Sequence, residues 1–132
     1  RGGLWFGWSG KKVADGTPGE GELHVRQAGD VTLAGLDLAE DDVRDYYEGY
    51  SNGVLWPVFH YRLDLAGFEQ RHLEGYRRVN RLFARKLAPL LRADDLIWIH
   101  DYHLIPLASE LRAMGCRNRM GFSARTAAAA PD

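Results

Sequence analysis

Leu96-Ile97-Trp98-Ile99-His100 is the stretch that most narrows what this chain can fold into. A strand with one wet face alternates apolar and polar residues. A continuous apolar run reads instead as a strand covered on both faces, the usual setting of a parallel strand. Helical spacing flanks it. Leu73, Tyr76, Val79, Phe83, Leu87, Leu90 and Leu91 predict a helix over about 68–92. Pro106 near a start, Ala108, Leu111 and Met114 along one face, and Gly115 as a stop predict a second over about 104–114. Arg119-Met-Gly-Phe122 then opens another strand. Helix, buried strand, helix, strand is the rhythm of an α/β parallel sheet, and α/β is the expected class.

The first half is less regular. Residues 1–10 read as a glycine-punctuated turn and strand, and 11–30 as a polar surface loop. Val31-Thr-Leu-Ala-Gly-Leu36 is a strand candidate. Val43, Tyr46, Tyr47 and Tyr50 fall at i, i+3, i+4 and i+7, the signature of a helix face. Glu40, Asp41 and Asp42 crowd its first turn, and Ser51-Asn52-Gly53 reads as its stop. Pro57 argues against a central strand over 54–61. Arg77, Arg81 and Arg85, four apart on the long helix, read as a solvated face.

Composition excludes several classes. With 17 basic and 18 acidic residues the net charge is −1, so bulk charge does not drive nucleic-acid binding. One cysteine, Cys116, forms no internal disulfide and no cysteine zinc cage, and a reducing, cytoplasmic setting is expected. No apolar run approaches the roughly 20 residues a membrane helix needs. A 132-residue chain rich in aromatics suits one soluble domain, or a piece of a larger one.

Chemistry concentrates at His100-Asp101-Tyr102-His103, where a buried parallel strand ends and a helix begins. Ligands of open α/β sheets bind beyond the carboxyl ends of such strands. Asp101 there is placed to accept hydrogen bonds from a polyol, and to cap the helix. A metal held by His100, Asp101 and His103 is the competing reading, with a spacing that matches no familiar motif. A second constellation is Tyr46-Tyr47 with Trp56-Pro57. Adjacent tyrosines on an α-helix face different ways, so one looks into a cleft, and Trp56 offers a rigid flat surface for a ring-shaped ligand. The plain alternative is that all three are core. Dinucleotide and P-loop glycine patterns, a nucleophile elbow, H-E-x-x-H and Asp-x-Asp are all absent from the sequence.

Gly2-Gly-Leu-Trp-Phe-Gly-Trp-Ser-Gly10, Tyr46-Tyr47, Ser51-Asn52, Leu55-Trp-Pro57, Phe59-His-Tyr-Arg62 and Trp98-Ile-His-Asp-Tyr-His-Leu104 together resemble trehalose-6-phosphate synthase, from residue 2 to about 122. The resemblance implies a retaining glycosyltransferase of two Rossmann-like domains, the GT-B type, with its site in the cleft between them. It implies transfer of glucose from UDP-glucose to glucose 6-phosphate, giving α,α-trehalose 6-phosphate and UDP. It implies no metal and no cofactor, front-face attack, and electrostatic stabilisation of the departing UDP. By the same resemblance Tyr47 contacts the acceptor, Asp101 binds substrate sugar, and Trp56 shapes the acceptor pocket and favours the α-anomer. One of Trp5 and Trp8 lines the acceptor side, with no choice between them. Homo-oligomerisation of the full-length enzyme stays open.

The departures from the pattern set further expectations. The family's opening strand, its glycine loop and its donor-binding domain have no counterpart in the sequence, and after Phe122 the family pattern stops. Residues 1–122 are therefore expected to be part of the first, acceptor-side domain, and 123–132 an aberrant tail from a shifted frame. The isolated chain is expected to lack synthase activity and, with unpaired sheet edges, to dissolve poorly. A non-catalytic sugar-phosphate-binding or regulatory remnant is the competing function.

Overall fold

The computed structural model describes residues 2–55, 70–100 and 102–123. Strand β1 (Gly3–Val13) pairs in parallel with β3 (Val31–Ala39), and β3 pairs antiparallel with β2 (Leu23–Ala28), giving the order β1-β3-β2. A single helical turn, α1 (Glu40–Asp42), runs into a π-helical segment, Val43–Leu55. The long helix α2 (Gln70–Leu87) ends in a 3₁₀ turn, Ala88–Leu90, with Pro89 inside it. Strand β4 (Ile97–His100), a 3₁₀ corner (Tyr102–Leu104), helix α3 (Leu107–Ala113) and strand β5 (Met120–Ser123) follow. β4 and β5 form a separate two-stranded parallel sheet.

The α/β expectation holds, with one antiparallel strand added. The polar stretch 11–30 is not one loop: β1 reaches Val13 and β2 occupies Leu23–Ala28. β2 escapes hydrophobic periodicity because it is an edge strand exposed along almost its whole length. Its signal was the two-residue Gly29-Asp30 turn before β3, where Gly29 takes φ +66°. The helix expected at Val43 also departs from expectation. It winds as a π-helix and passes through Ser51-Asn52-Gly53 to Leu55, so those residues do not stop it.

One continuous core joins the pieces. Leu36 and Leu38 of β3, Val79, Leu82 and Phe83 of α2, Ile97 and Ile99 of β4, and Leu107 and Leu111 of α3 all belong to it. The apolar run of β4 is covered on one face only. Ile97 and Ile99 are buried, whereas Trp98 is 54% exposed and leans over Gly121 of β5. The outer edges of β1 and β4 flank a cavity of about 680 Å³, lined by Gly2 to Phe6 on one side and Asp94 to His100 on the other. Trp5, Leu96 and Trp98 are exposed along it.

α2 is fastened to α1 and to the start of the π-helical segment by ions as well as by packing. Arg78 Nε lies 2.7 Å from Oδ1 of Asp42, a residue with no exposed surface, and Arg78 Nη2 lies 3.7 Å from Asp45. Gly19 N donates to the other Asp42 oxygen at 2.7 Å. Arg77, Arg81 and Arg85 are exposed as expected, yet Arg85 also donates to Gly19 O at 2.6 Å. Gly75 is the point of closest approach, where an added Cβ would collide with the Asp45 side chain. Gly→Ala in a helix interior ordinarily gains about 1 kcal/mol. Here G75A is expected to reverse that sign and cost about 1–3 kcal/mol through overpacking, read as a lower thermal midpoint.

Candidate functional site

Three elements converge beside the carboxyl end of β4. β1 contributes Trp8, the π-helical segment Tyr46 and Tyr47, and the 3₁₀ corner His103. A bulge after Trp8 breaks the parallel register, which resumes at Lys12 opposite Leu38, with Gly10 at φ +88° inside it. Bulges re-aim side chains next to functional sites. Here the indole Nε1 donates back to Lys11 O at 3.1 Å, which fixes the ring.

Tyr47 stacks on His103, with ring centroids 4.7 Å apart and planes 22° apart, and tilts against Trp8 at 5.4 Å. Tyr46 meets the same imidazole edge-on at 6.0 Å. Both adjacent tyrosines therefore reach His103, but in different directions, Tyr47 on its face and Tyr46 edge-on. The wider turn of a π-helix reduces the angle between successive side chains. Tyr46 is buried and Tyr47 half-buried, so Tyr47 is the ring left facing outward. Behind them Tyr46 stacks on Tyr76 at 5.9 Å, and Tyr50 packs on Tyr76 at 4.7 Å. Burial pushes the Tyr76 hydroxyl well above the ordinary tyrosine range, so it stays neutral.

Asn80 pins the corner and was not singled out by periodicity. It is fully buried in α2, and its Nδ2 donates to Tyr76 O at 2.9 Å and His103 O at 3.1 Å. The available signal was an amide between Val79 and Phe83 on the core face of a helix, since a buried polar group needs partners.

Of the sequence candidates, Tyr47 sits in this aromatic wall; Trp56 and Asp101 lie outside the described residues. Trp8 is in the wall, and Trp5 is not: it is 66% exposed and lines the cavity between β1 and β4. The two histidines of the competing metal reading part company. His100 lies by Ser123, with Oγ to Nδ1 at 3.4 Å, and by Trp98, while His103 lies under Tyr47.

Residues 1–127 match the family described as glycosyltransferase family 20. A trehalose-6-phosphate synthase of Sinorhizobium fredii is 54% identical over 121 residues, covering 92% of this chain and 26% of that protein. Among solved structures, an α,α-trehalose-phosphate synthase (UDP-forming) from Burkholderia xenovorans, in complex with glucose-6-phosphate, superposes with a TM-score of 0.85 at 50% identity. It covers 91% of this chain and 26% of its own. An E. coli structure bound with UDP-2-fluoro glucose superposes with a TM-score of 0.82 at 53% identity, covering 92% and 26%. The chain thus spans about a quarter of the length of the relatives it matches.

Proposed function

The chain belongs to glycosyltransferase family 20, and from that premise we propose that it forms the acceptor side of a trehalose-6-phosphate synthase. In this reading glucose passes from UDP-glucose to glucose 6-phosphate with retention, giving α,α-trehalose 6-phosphate and UDP. The observation that carries it is the convergence of Trp8, Tyr47 and His103 at the corner after β4. Aromatic faces suit the apolar face of a sugar ring, and a phenol hydroxyl at the rim adds a directed hydrogen bond. Tyr47 contacts the acceptor, and His103 beneath it holds the ring in place. Asp101, next to that corner in sequence, takes hydroxyl groups of the substrate sugar, and Trp56 bounds the acceptor pocket and selects the α-anomer. Trp8 supplies the acceptor-side indole.

The transfer step is front-face attack by the acceptor hydroxyl, with a donor phosphate oxygen helping to take its proton. Departing UDP is stabilised by groups of a second Rossmann-like domain of a GT-B enzyme, across the cleft. The contribution of these residues is alignment of the acceptor. A cytoplasmic setting fits the lone thiol of Cys116. No helix among the described residues is long and apolar enough to cross a membrane.

Titration of the 132-residue chain with glucose 6-phosphate, followed by tryptophan fluorescence, tests the reading. Saturable binding is expected, without release of UDP from UDP-glucose. Tyr47→Phe keeps the stack on His103 and loses one hydrogen bond, about 0.5–1.5 kcal/mol or up to about tenfold in affinity. Tyr47→Ala is expected to cost more. Absence of binding, or binding indifferent to both variants, counts against the assignment. UDP release by the chain alone overturns its restriction to the acceptor side.

A further inference from the structure

We propose that Glu22, His24 and Asp37 form a binding site for a divalent ion of the zinc class, a site separate from the aromatic wall and independent of the transfer reaction. Asp37 N donates to Glu22 O at 2.9 Å, so these two residues stand opposite each other where β3 passes the start of β2. Like charges facing each other across a strand pair are destabilising. His24 is two residues further along β2, on the same face, with Nε2 2.8 Å from Asp37 Oδ2. One ligand atom from each of the three lies within 4.8 Å of the others. Zinc bonds of about 2.0–2.2 Å need donors roughly 3–4 Å apart. Small rotations of the exposed Glu22 and His24 side chains supply that spacing.

The surroundings fit an ion better than they fit a lone His–Asp pair. Asp37 is buried, and Ser9 Oγ donates to its other oxygen at 2.5 Å. Hydrogen bonds from behind are what orient a ligating carboxylate. The Ser9 bond, with help from His24, holds the Asp37 carboxyl below the usual carboxylate range despite burial. Gly35 lets β1 come this close, since a Cβ there would stand 3.2 Å from Ser9 Cβ. The one imidazole pairs with Asp37, and among the described residues no cationic side chain pairs with Glu22. An imidazole with two carboxylates is a nitrogen–oxygen donor set that suits zinc better than calcium, magnesium or cuprous ion. A bound ion would clip the edge strand β2 to β3 and, through Ser9, to the bulge of β1.

The test is a Co²⁺ titration of the 132-residue chain by visible absorption, with Zn²⁺ as competitor. One equivalent is expected to bind and to be displaced by Zn²⁺. His24→Gln and Glu22→Gln, both at exposed positions, are each expected to weaken binding about tenfold or more. Zn²⁺ is expected to raise the thermal midpoint of the parent chain and not of His24→Gln. Absence of saturable binding overturns the site and leaves His24–Asp37 as a hydrogen-bonded pair. Binding that both variants leave unchanged overturns it too, by placing the ion elsewhere.

Discussion

Replacing Arg78 by alanine is expected to remove about 3–5 kcal/mol of stability, the cost of leaving a buried carboxylate without its cation. Asp42 has no exposed surface, and two nitrogens of Arg78 lie 2.7 Å from the same oxygen. Among the described residues only the Gly19 amide remains to hold the charge in the variant. Single domains are stable by about 5–15 kcal/mol in total, so a large part of the fold is at stake. Urea denaturation of R78A, D42N and the double variant measures the coupling. The double variant is expected to be more stable than R78A, because asparagine removes the stranded charge. Equal, additive losses would show that the pair is held by packing and not by charge.

Phe83→Ala is expected to cost a similar amount, about 3–5 kcal/mol, by a different route. Phe83 is almost fully buried where three elements meet: its ring packs edge-on against Phe6 of β1 at 5.6 Å and against Tyr46 at 6.2 Å. Truncation opens a cavity under the wall that carries Tyr47. Phe83→Leu refills most of that space and is expected to lose less than half as much. The midpoint in urea is the readout, with an unchanged slope showing that stability alone has moved. A loss below about 1 kcal/mol would mean that the site collapses freely around the gap.

Much of the framework was legible from side-chain periodicity, because burial imposes it. Val79, Phe83 and Leu87 had to face a core, and Gly115 had to follow α3, where it takes φ +91°. The expected run of the long helix to about 92 passed over Pro89, which sits in the 3₁₀ turn where the α-helix has already ended at Leu87. β2 was illegible for the complementary reason: an edge strand with little buried surface carries no apolar alternation. The π winding was hidden because Val43, Tyr46 and Tyr47 satisfy an α-helical pattern almost as well as a wider one. Tyr47 was readable as a candidate from its place in a motif; its stack on His103 was not, since 56 positions separate them in sequence and only the fold closes that distance. The Arg78–Asp42 pair was missed because attention to charge at four-residue spacing favours neighbours on one helix. That pair instead spans 36 positions. Asp37, Glu22 and His24 escaped for the same reason, with β2 unrecognised.

The cavity between β1 and β4 has a consequence for assembly. Helix α2 packs into one core with residues of both sheets, Leu36 and Leu38 on one side and Ile97 and Ile99 on the other. It therefore acts as a splint, holding two sheet edges in position across an opening that no hydrogen bond bridges among the described residues. An extended segment entering there would meet the backbone donors and acceptors of two sheet edges that no strand covers among the described residues. The entropy of arranging those edges is spent when the core forms, so closure would proceed by docking onto a preorganised keyway. The same preorganisation makes the edges indiscriminate. Trp5, Leu96 and Trp98 offer apolar contact to any strand, native or foreign, that reaches them first.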